Sequence, residues 1–190
     1  TSTISDKFGN LLFYGGGHGG YTTVYNKQHD TLKNGFRLIG TSVDQAPIII
    51  PHPGDTNLYF LFTVFGSYSW IQNMEGLYYH ILDISKDNGK GEIILKNQKL
   101  CSDVNEKIAA TMHANKQSVW IMTSDWNSNQ FKAFLIDKTG IDTTPVTSSG
   151  GTYKWTKFGE GGGQFKFSPS GKKLANALPL AQIVDIFDFD

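Results

Sequence analysis

Pro53-Gly54-Asp55-Thr56-Asn57 runs directly into Leu58-Tyr59-Phe60-Leu61-Phe62-Thr63-Val64-Phe65, a polar turn followed by a run rich in aromatic and aliphatic side chains. Proline, glycine, aspartate and asparagine supply turn geometry, and the run that follows has the composition of a strand buried on both faces. The arrangement recurs. Asp6-Lys7-Phe8-Gly9-Asn10, Ala114-Asn115-Lys116-Gln117-Ser118 and Ser168-Pro169-Ser170-Gly171-Lys172 lead into Leu11 to Tyr14, Val119 to Thr123 and Leu174 to Leu178. The first apolar residues Leu11, Leu58, Val119 and Leu174 lie 47, 61 and 55 positions apart. Propeller repeats take roughly 40 to 50 residues per blade.

Outward from each of these runs comes a third strand, at Tyr21 to Tyr25, Leu77 to Ile84, Phe131 to Ile136 and Ile183 to Phe189. The first three units continue to a fourth strand, at Phe36 to Ile39, Glu92 to Leu95 and Thr143 to Thr147, whereas the last stops short of one. A single meander of this size leaves a face uncovered, so the units must stack, and a propeller stacks them radially. The sequence therefore predicts an all-β, β-propeller-like fold of about four (3.5 to 4) four-stranded antiparallel blades, part of a larger propeller. The blades fall at about 1–40, 46–100, 107–148 and 163–190 of one domain, with a β-sandwich or open β-solenoid as the alternative. Val104 to Met112 is an ambiguous apolar run that could be a short helix.

Charged residues make up 18% of the chain, aromatics 13%, and there are 21 glycines. This mix favours short strands and tight turns over surface helices. Seventeen basic side chains balance 17 acidic ones, so no net field draws the chain to nucleic acid. No apolar stretch approaches the roughly 20 residues of a membrane-spanning helix. The lone Cys101 excludes an intrachain disulfide and leaves the compartment open. A chain beginning at Thr1, without an initiator methionine or signal peptide, is expected to be a processed or trimmed product.

Several segments carry a family likeness: Gly9 to Tyr14, Thr23-Val24-Tyr25-Asn26, Asn34-Gly35, Ala46 to Pro51 with Pro53-Gly54, Glu106 to Ala110, His113-Ala114-Asn115, and Trp126-Asn127-Ser128-Asn129 with Phe131. Together they resemble the N-terminal propeller-like, WD40-like domain of large secreted Bacteroidetes proteins that end in a gliding-motility or type 9 secretion sorting domain. The likeness spans Ile4 to about Ala175. It implies an extracellular or cell-surface module exported through type 9 secretion, with no catalytic motif to carry over. The chain departs from that pattern at Gly15 to Gly20, in place of a shorter acidic turn, and at Ser124-Asp125 before Trp126.

In a propeller the loops between second and third strands open on one face together with the blade connections. That face gathers His18 in the Gly15 to Gly20 loop, Tyr68 and Trp70, the turn Trp126-Asn127-Ser128-Asn129, and the connection carrying Tyr153, Trp155 and Glu160. Aromatic rings beside amides suit a sugar, whose C–H face stacks while its hydroxyls hydrogen-bond. His18, Tyr68, Trp70, Trp126, Asn127, Asn129 and Trp155 are therefore the candidate glycan- or protein-binding residues. The structural alternative is that the tryptophans fill spaces between blades and the asparagines stabilise turns. Neither glycine cluster has the Lys-Ser/Thr ending and following helix of a phosphate loop.

The five histidines form no metal-ligand spacing, and no cofactor is expected. His52 and His113 recur just before a turn and read as structural, and His80 as a satisfied core residue. Asp83, Asp137, Asp185 and Asp188 read as turn formers near the ends of third strands. Asp83 to Asn88 only partly matches a calcium loop. The residues thus favour a non-enzymatic interaction or structural module whose partner is a glycan, another surface protein, the rest of its polypeptide or copies of itself. The alternative is a propeller enzyme acting on polysaccharide as lyase or hydrolase, for which Asp125, His18 and Glu160 are the available acid–base candidates.

Overall fold

The computed structural model describes residues 1–18, 20–40, 45, 47–66, 74–151 and 162–190, the side chain of residue 18 lying outside the description. The chain is 58% strand and 2% helical, and four small antiparallel sheets stand in a ring as the blades of a β-propeller. Blade 1 runs β1 (Ser2–Ser5), β2 (Leu11–His18), β3 (Tyr21–Asn26), β4 (Leu38–Ile39). Blade 2 runs β5 (Ile48–Pro51), β6 (Leu58–Phe65), β7 (Gly76–Asp83), β8 (Glu92–Cys101). Blade 3 runs β9 (Val104–Met112), β10 (Val119–Asp125), β11 (Gln130–Asp137), with β12 (Gly140–Ile141) and β13 (Val146–Ser149) both paired to β11. Blade 4 has β14 (Gln164–Phe167), β15 (Lys173–Leu178) and β16 (Ile183–Asp188).

One device closes the turn between first and second strands in blades 1 to 3. The residue that leaves the first strand accepts a backbone N–H two positions on: Asp6 from Phe8 at 2.9 Å, His52 Nδ1 from Gly54 at 3.0 Å, His113 Nδ1 from Asn115 at 3.0 Å. In blade 4 the Ser168 hydroxyl instead accepts the N–H of Lys173 at 3.1 Å. A short side chain with an acceptor replaces a backbone turn bond, which is why Asp, His and Ser interchange there. The structural role expected of His52 and His113 is this one. A second set closes the next turn, Asp83 accepting from Ser85 at 2.9 Å and Asp137 from Thr139 at 2.7 Å. Those hydrogen bonds hold both carboxyls below the ordinary range, with the Ser85 and Thr139 hydroxyls the largest cause.

The ladder pairings refine the repeat. His52 pairs with Leu58, and His113 with Ser118, so the first turn of blade 2 is one residue longer and Leu58 matches Ser118 rather than Val119. Consecutive blades pack through opposite faces of each sheet. Phe13, Val24 and Leu38 of blade 1 meet Tyr59, Leu61 and Leu82 of blade 2. Phe60, Phe62 and Val64, on the other side of blade 2, meet Ile108, Ile121 and Phe134 of blade 3. Met122 and Phe131 continue to Phe165, Phe167 and Leu174 of blade 4.

Four expectations are corrected. Gly15 to Gly17 and His18 are not a loop: they continue β2, paired with Val24, Thr23, Thr22 and Tyr21. A Cβ on Gly15 would sit 3.2 Å from Pro47, so the bare backbone lets blade 2 approach closely. Val104 to Met112 is the inner strand β9, with Ile108 and Ala110 toward blade 2 and Ala109 toward blade 4. Burial on both sides erases the alternation that normally marks a strand. Thr143 lies outside the fourth-strand pairing of blade 3, which breaks into β12 and β13 around Pro145. Asp185 lies inside β16, opposite Asn176, and Asp188 pairs with Lys173; neither closes a turn.

A closed circuit of hydrogen bonds joins blades 1 and 2. Ile39 N–H donates to Asn97 Oδ1 at 2.8 Å, Asn97 N–H to His80 Nδ1 at 3.0 Å, His80 Nε2–H to Thr63 Oγ1 at 3.0 Å, and the Thr63 hydroxyl to the Ile39 carbonyl. Because Nδ1 accepts a backbone N–H, the proton sits on Nε2. Gly40, at φ 153°, abuts this circuit, and a Cβ there would lie 2.5 Å from Thr63 Cβ. Gly40→Ala is expected to cost about 1–3 kcal/mol, measured by chemical denaturation, with equal stability of the two proteins refuting the close approach.

Candidate functional site

The ring presents two loop faces. On the first lies the β10–β11 turn. Trp126 N–H donates to Asp103 O at 2.6 Å, Asn129 Nδ2 donates to Gly151 O at 3.3 Å, and Gly150 N–H returns to Asn129 O at 3.1 Å. Asn127 is exposed, at φ 51° in the left-handed region that asparagine tolerates. The structure thus brings Trp126, Asn127 and Asn129 together in one turn and engages Asn129 with the connection to blade 4. Tyr68, Trp70, Tyr153, Trp155, Glu160 and the His18 side chain lie outside the described residues. Asp125, the remaining acid–base candidate, is held by Lys132 Nζ at 2.6 Å.

The opposite face carries a groove that sequence reasoning missed. It opens between the first turns of blades 3 and 4, has a volume of about 510 Å³, and is lined by Met112, His113, Lys116, Trp120, Lys172 and Phe189, with Asp190 at its end. Drug-sized ligand clefts span roughly 300–1,000 Å³. The Trp120 and Phe189 rings meet edge-on with centroids 6.4 Å apart, and the His113 ring lies 5.6 Å from Trp120. Met112 is 57% exposed at the mouth. With Nδ1 occupied by the Asn115 N–H, His113 offers Nε2–H as a donor. The floor is therefore aromatic and the rim supplies lysine ammonium donors, an imidazole N–H and a carboxylate acceptor. The groove stayed hidden because it joins positions 52 to 78 residues apart on two blades; only the recurrence of a histidine before the turn marked its edge.

The strongly shifted titratable groups lie inside the sheets instead. Burial, followed by the nearby Lys96 charge, pushes His80 down to about 3, and the residue is fully buried in its hydrogen-bond circuit. Burial pushes the half-buried Cys101 thiol up to about 11, away from the low range in which a cysteine becomes a nucleophile. Asp83, the first residue of the partial calcium match, spends one carboxylate oxygen on the Ser85 N–H and hydroxyl. Among the described residues no three His, Cys, Asp or Glu side chains converge, and no helix is long and apolar enough to cross a membrane.

Fold and surface together define a four-bladed β-propeller domain. No protein-family model, curated protein or solved structure matches the chain.

Proposed function

We propose that the chain is a non-enzymatic interaction module of a secreted bacterial cell-surface protein, and that it holds a glycan through the groove between blades 3 and 4. The observation that carries this reading is the groove's composition: an aromatic floor at Trp120 and Phe189 beneath lysine and imidazole donors. A sugar ring stacks its C–H face on indole and takes hydrogen bonds from such a rim. The groove holds one histidine and one aspartate, and that histidine is committed through Nδ1 to the turn, which supports binding over acid–base chemistry. The surface location rests on the resemblance of Gly9 to Tyr14, His113 to Asn115 and Trp126 to Asn129 to secreted Bacteroidetes propeller-like domains. Other surface proteins, and the Trp126 turn on the opposite face, are the competing partner and site.

The test is retention on immobilised polysaccharides, with product release assayed in parallel. Trp120→Ala and the double variant Lys116→Glu, Lys172→Glu are each expected to weaken retention at least tenfold, equivalent to about 1.4 kcal/mol. The lysine variant, altered only at the surface, should melt like the parent. Retention unaffected by the lysine changes but lost in Trp126→Ala would move the site to the other face. Release of new reducing ends, abolished by Asp125→Asn, would replace the module with an enzyme.

A further inference from the structure

A small cavity of about 90 Å³ opens between blades 1 and 2, framed by the β3–β4 turn around Asn26 to Leu32 and the β7–β8 turn around Ile84 to Gly91. Its floor is aliphatic, made by Leu32, Leu82 and Ile84, the first two buried. One polar side chain reaches it from inside the interface. Asn26 lies on the face of β3 that blade 1 turns toward blade 2, in line with Val24, and is 3% exposed. Its Oδ1 closes its own turn by accepting the N–H groups of Gln28 at 2.9 Å and Asp30 at 3.0 Å. Two donors on one oxygen fix which amide atom is which, and they leave Nδ2 to face the cavity with no partner among the described residues. A donor held at this depth takes its acceptor from whatever enters the cavity. Lys27 and Lys90 bring positive charge to the rim from the two turns, and neither is in an ion pair among the described residues. Asp30 and Asp87 stand on the same turns without lining the cavity.

We propose that this cavity binds a carboxylate carrying a short aliphatic chain, with Asn26 Nδ2 donating to the carboxylate, Lys27 and Lys90 balancing its charge, and the chain lying on Leu32, Leu82 and Ile84. An amide nitrogen and two ammonium groups are donors, and an ionised carboxylate is their acceptor-only complement. Inorganic phosphate or sulfate would leave the aliphatic floor uncovered, and a bare hydrocarbon would leave the amide unpaired. The volume limits the chain to a few carbons, well under the roughly 300–1,000 Å³ of drug-sized clefts. Because the turn bonds to Gln28 and Asp30 already hold the Asn26 amide, binding does not have to order it. Two sources share this chemistry, a free short-chain acid and the carboxyl terminus of a polypeptide that ends in an apolar residue. The cavity joins blades 1 and 2 whereas the groove joins blades 3 and 4, so this inference and the functional proposal fail separately.

The test follows side-chain amide and methyl NMR resonances of the isotope-labelled protein during titration, at constant ionic strength, with sodium butyrate, butyramide and N-acetylvaline. At least one of the two acids is expected to saturate, to shift the Asn26 amide and the Leu82 and Ile84 methyls, and to bind at least tenfold more tightly than butyramide, which lacks the charge. The tighter acid names the source, butyrate for a free short-chain acid and N-acetylvaline for a polypeptide terminus. The double variant Lys27→Gln, Lys90→Gln, altered only at exposed positions, should melt like the parent and bind at least tenfold more weakly. Asn26→Asp keeps an acceptor for the Gln28 and Asp30 N–H groups but replaces the amide donors with a like charge, and should abolish binding. No saturation by either acid at tens of millimolar, equal binding of acid and amide, or full binding by the double lysine variant overturns the proposal. Shifts confined to Trp120 and Phe189 would place the acids in the groove and overturn it as well.

Discussion

Lys107→Ala is expected to destabilise the domain by about 3–5 kcal/mol, the cost of breaking a buried polar cluster from one side. Lys107 is fully buried although charged. Its Nζ crosses from β9 to blade 4, donating to Asn176 Oδ1 at 2.8 Å and Ala177 O at 3.3 Å, and lies 5.4 Å from the centre of the Phe165 ring. Its backbone is held as well, the N–H by Asn105 Oδ1 at 2.9 Å and the carbonyl by Thr123 Oγ1 at 3.0 Å. Alanine removes the cation and leaves Asn176, itself 3% exposed, without that partner in a low-dielectric interface. Lys107→Met retains most of the volume without charge, and its cost should be much smaller. Urea unfolding of the three proteins measures the difference. If alanine and methionine cost the same and less than about 1 kcal/mol, the cluster contributes little to docking blade 4.

The second large effect is acid lability at His80. Its folded pKa of about 3 lies below the ordinary imidazole value of 6.5, so between those values the unfolded chain takes up a proton that the native state refuses. The unfolded state binding more protons means stability rises with pH. The contribution is complete above 6.5 and drains as pH falls toward 3, at up to about 1.4 kcal/mol per pH unit. Protonation of Nδ1 would set two donors, the imidazolium and the Asn97 N–H, against each other. His80→Gln is expected to lower stability at pH 7.5 by about 1–3 kcal/mol, through the loss of the circuit to Thr63 and Asn97, and to flatten the slope between pH 6.5 and 5. Asp6, Asp83 and Asp137, all shifted downward, act below that window and do not mask it. A parent protein equally stable at pH 5 and pH 7.5 would contradict the neutral buried imidazole.

Docking of successive blades thus rests on polar links as well as apolar ones. The Ile39–Asn97–His80–Thr63 circuit fastens blade 1 to blade 2, and Lys107 fastens blade 3 to blade 4. Apolar faces tolerate sliding, whereas a buried donor has one acceptor within reach and fixes the register between sheets. Gln45 adds a third link, its amide bonded to both backbone groups of Phe165 on β14.

Much of the architecture was legible because its signals are local. The turn closures at Asp6, His52, His113, Asp83 and Asp137 span two residues each, and the alternating runs between them announce strands wherever one face is wet. Legibility failed where contacts reach further. The glycines of β2 read as a loop until Thr22 to Val24 supplied their ladder and Pro47 their close neighbour. Trp120 looked like any strand residue, since Phe189, which makes it a groove floor, lies on another blade.

From its sequence alone this protein is a four-unit β repeat, because turn chemistry and hydrophobic period act over a few residues and need no distant partner. Tertiary structure decided the one-residue offset in blade 2, the strand made from Gly15 to Gly17 and the groove between blades 3 and 4. Each of these depends on which sheet face meets which, and that is settled only when buried donors, apolar faces and ladder bonds from remote segments are satisfied together.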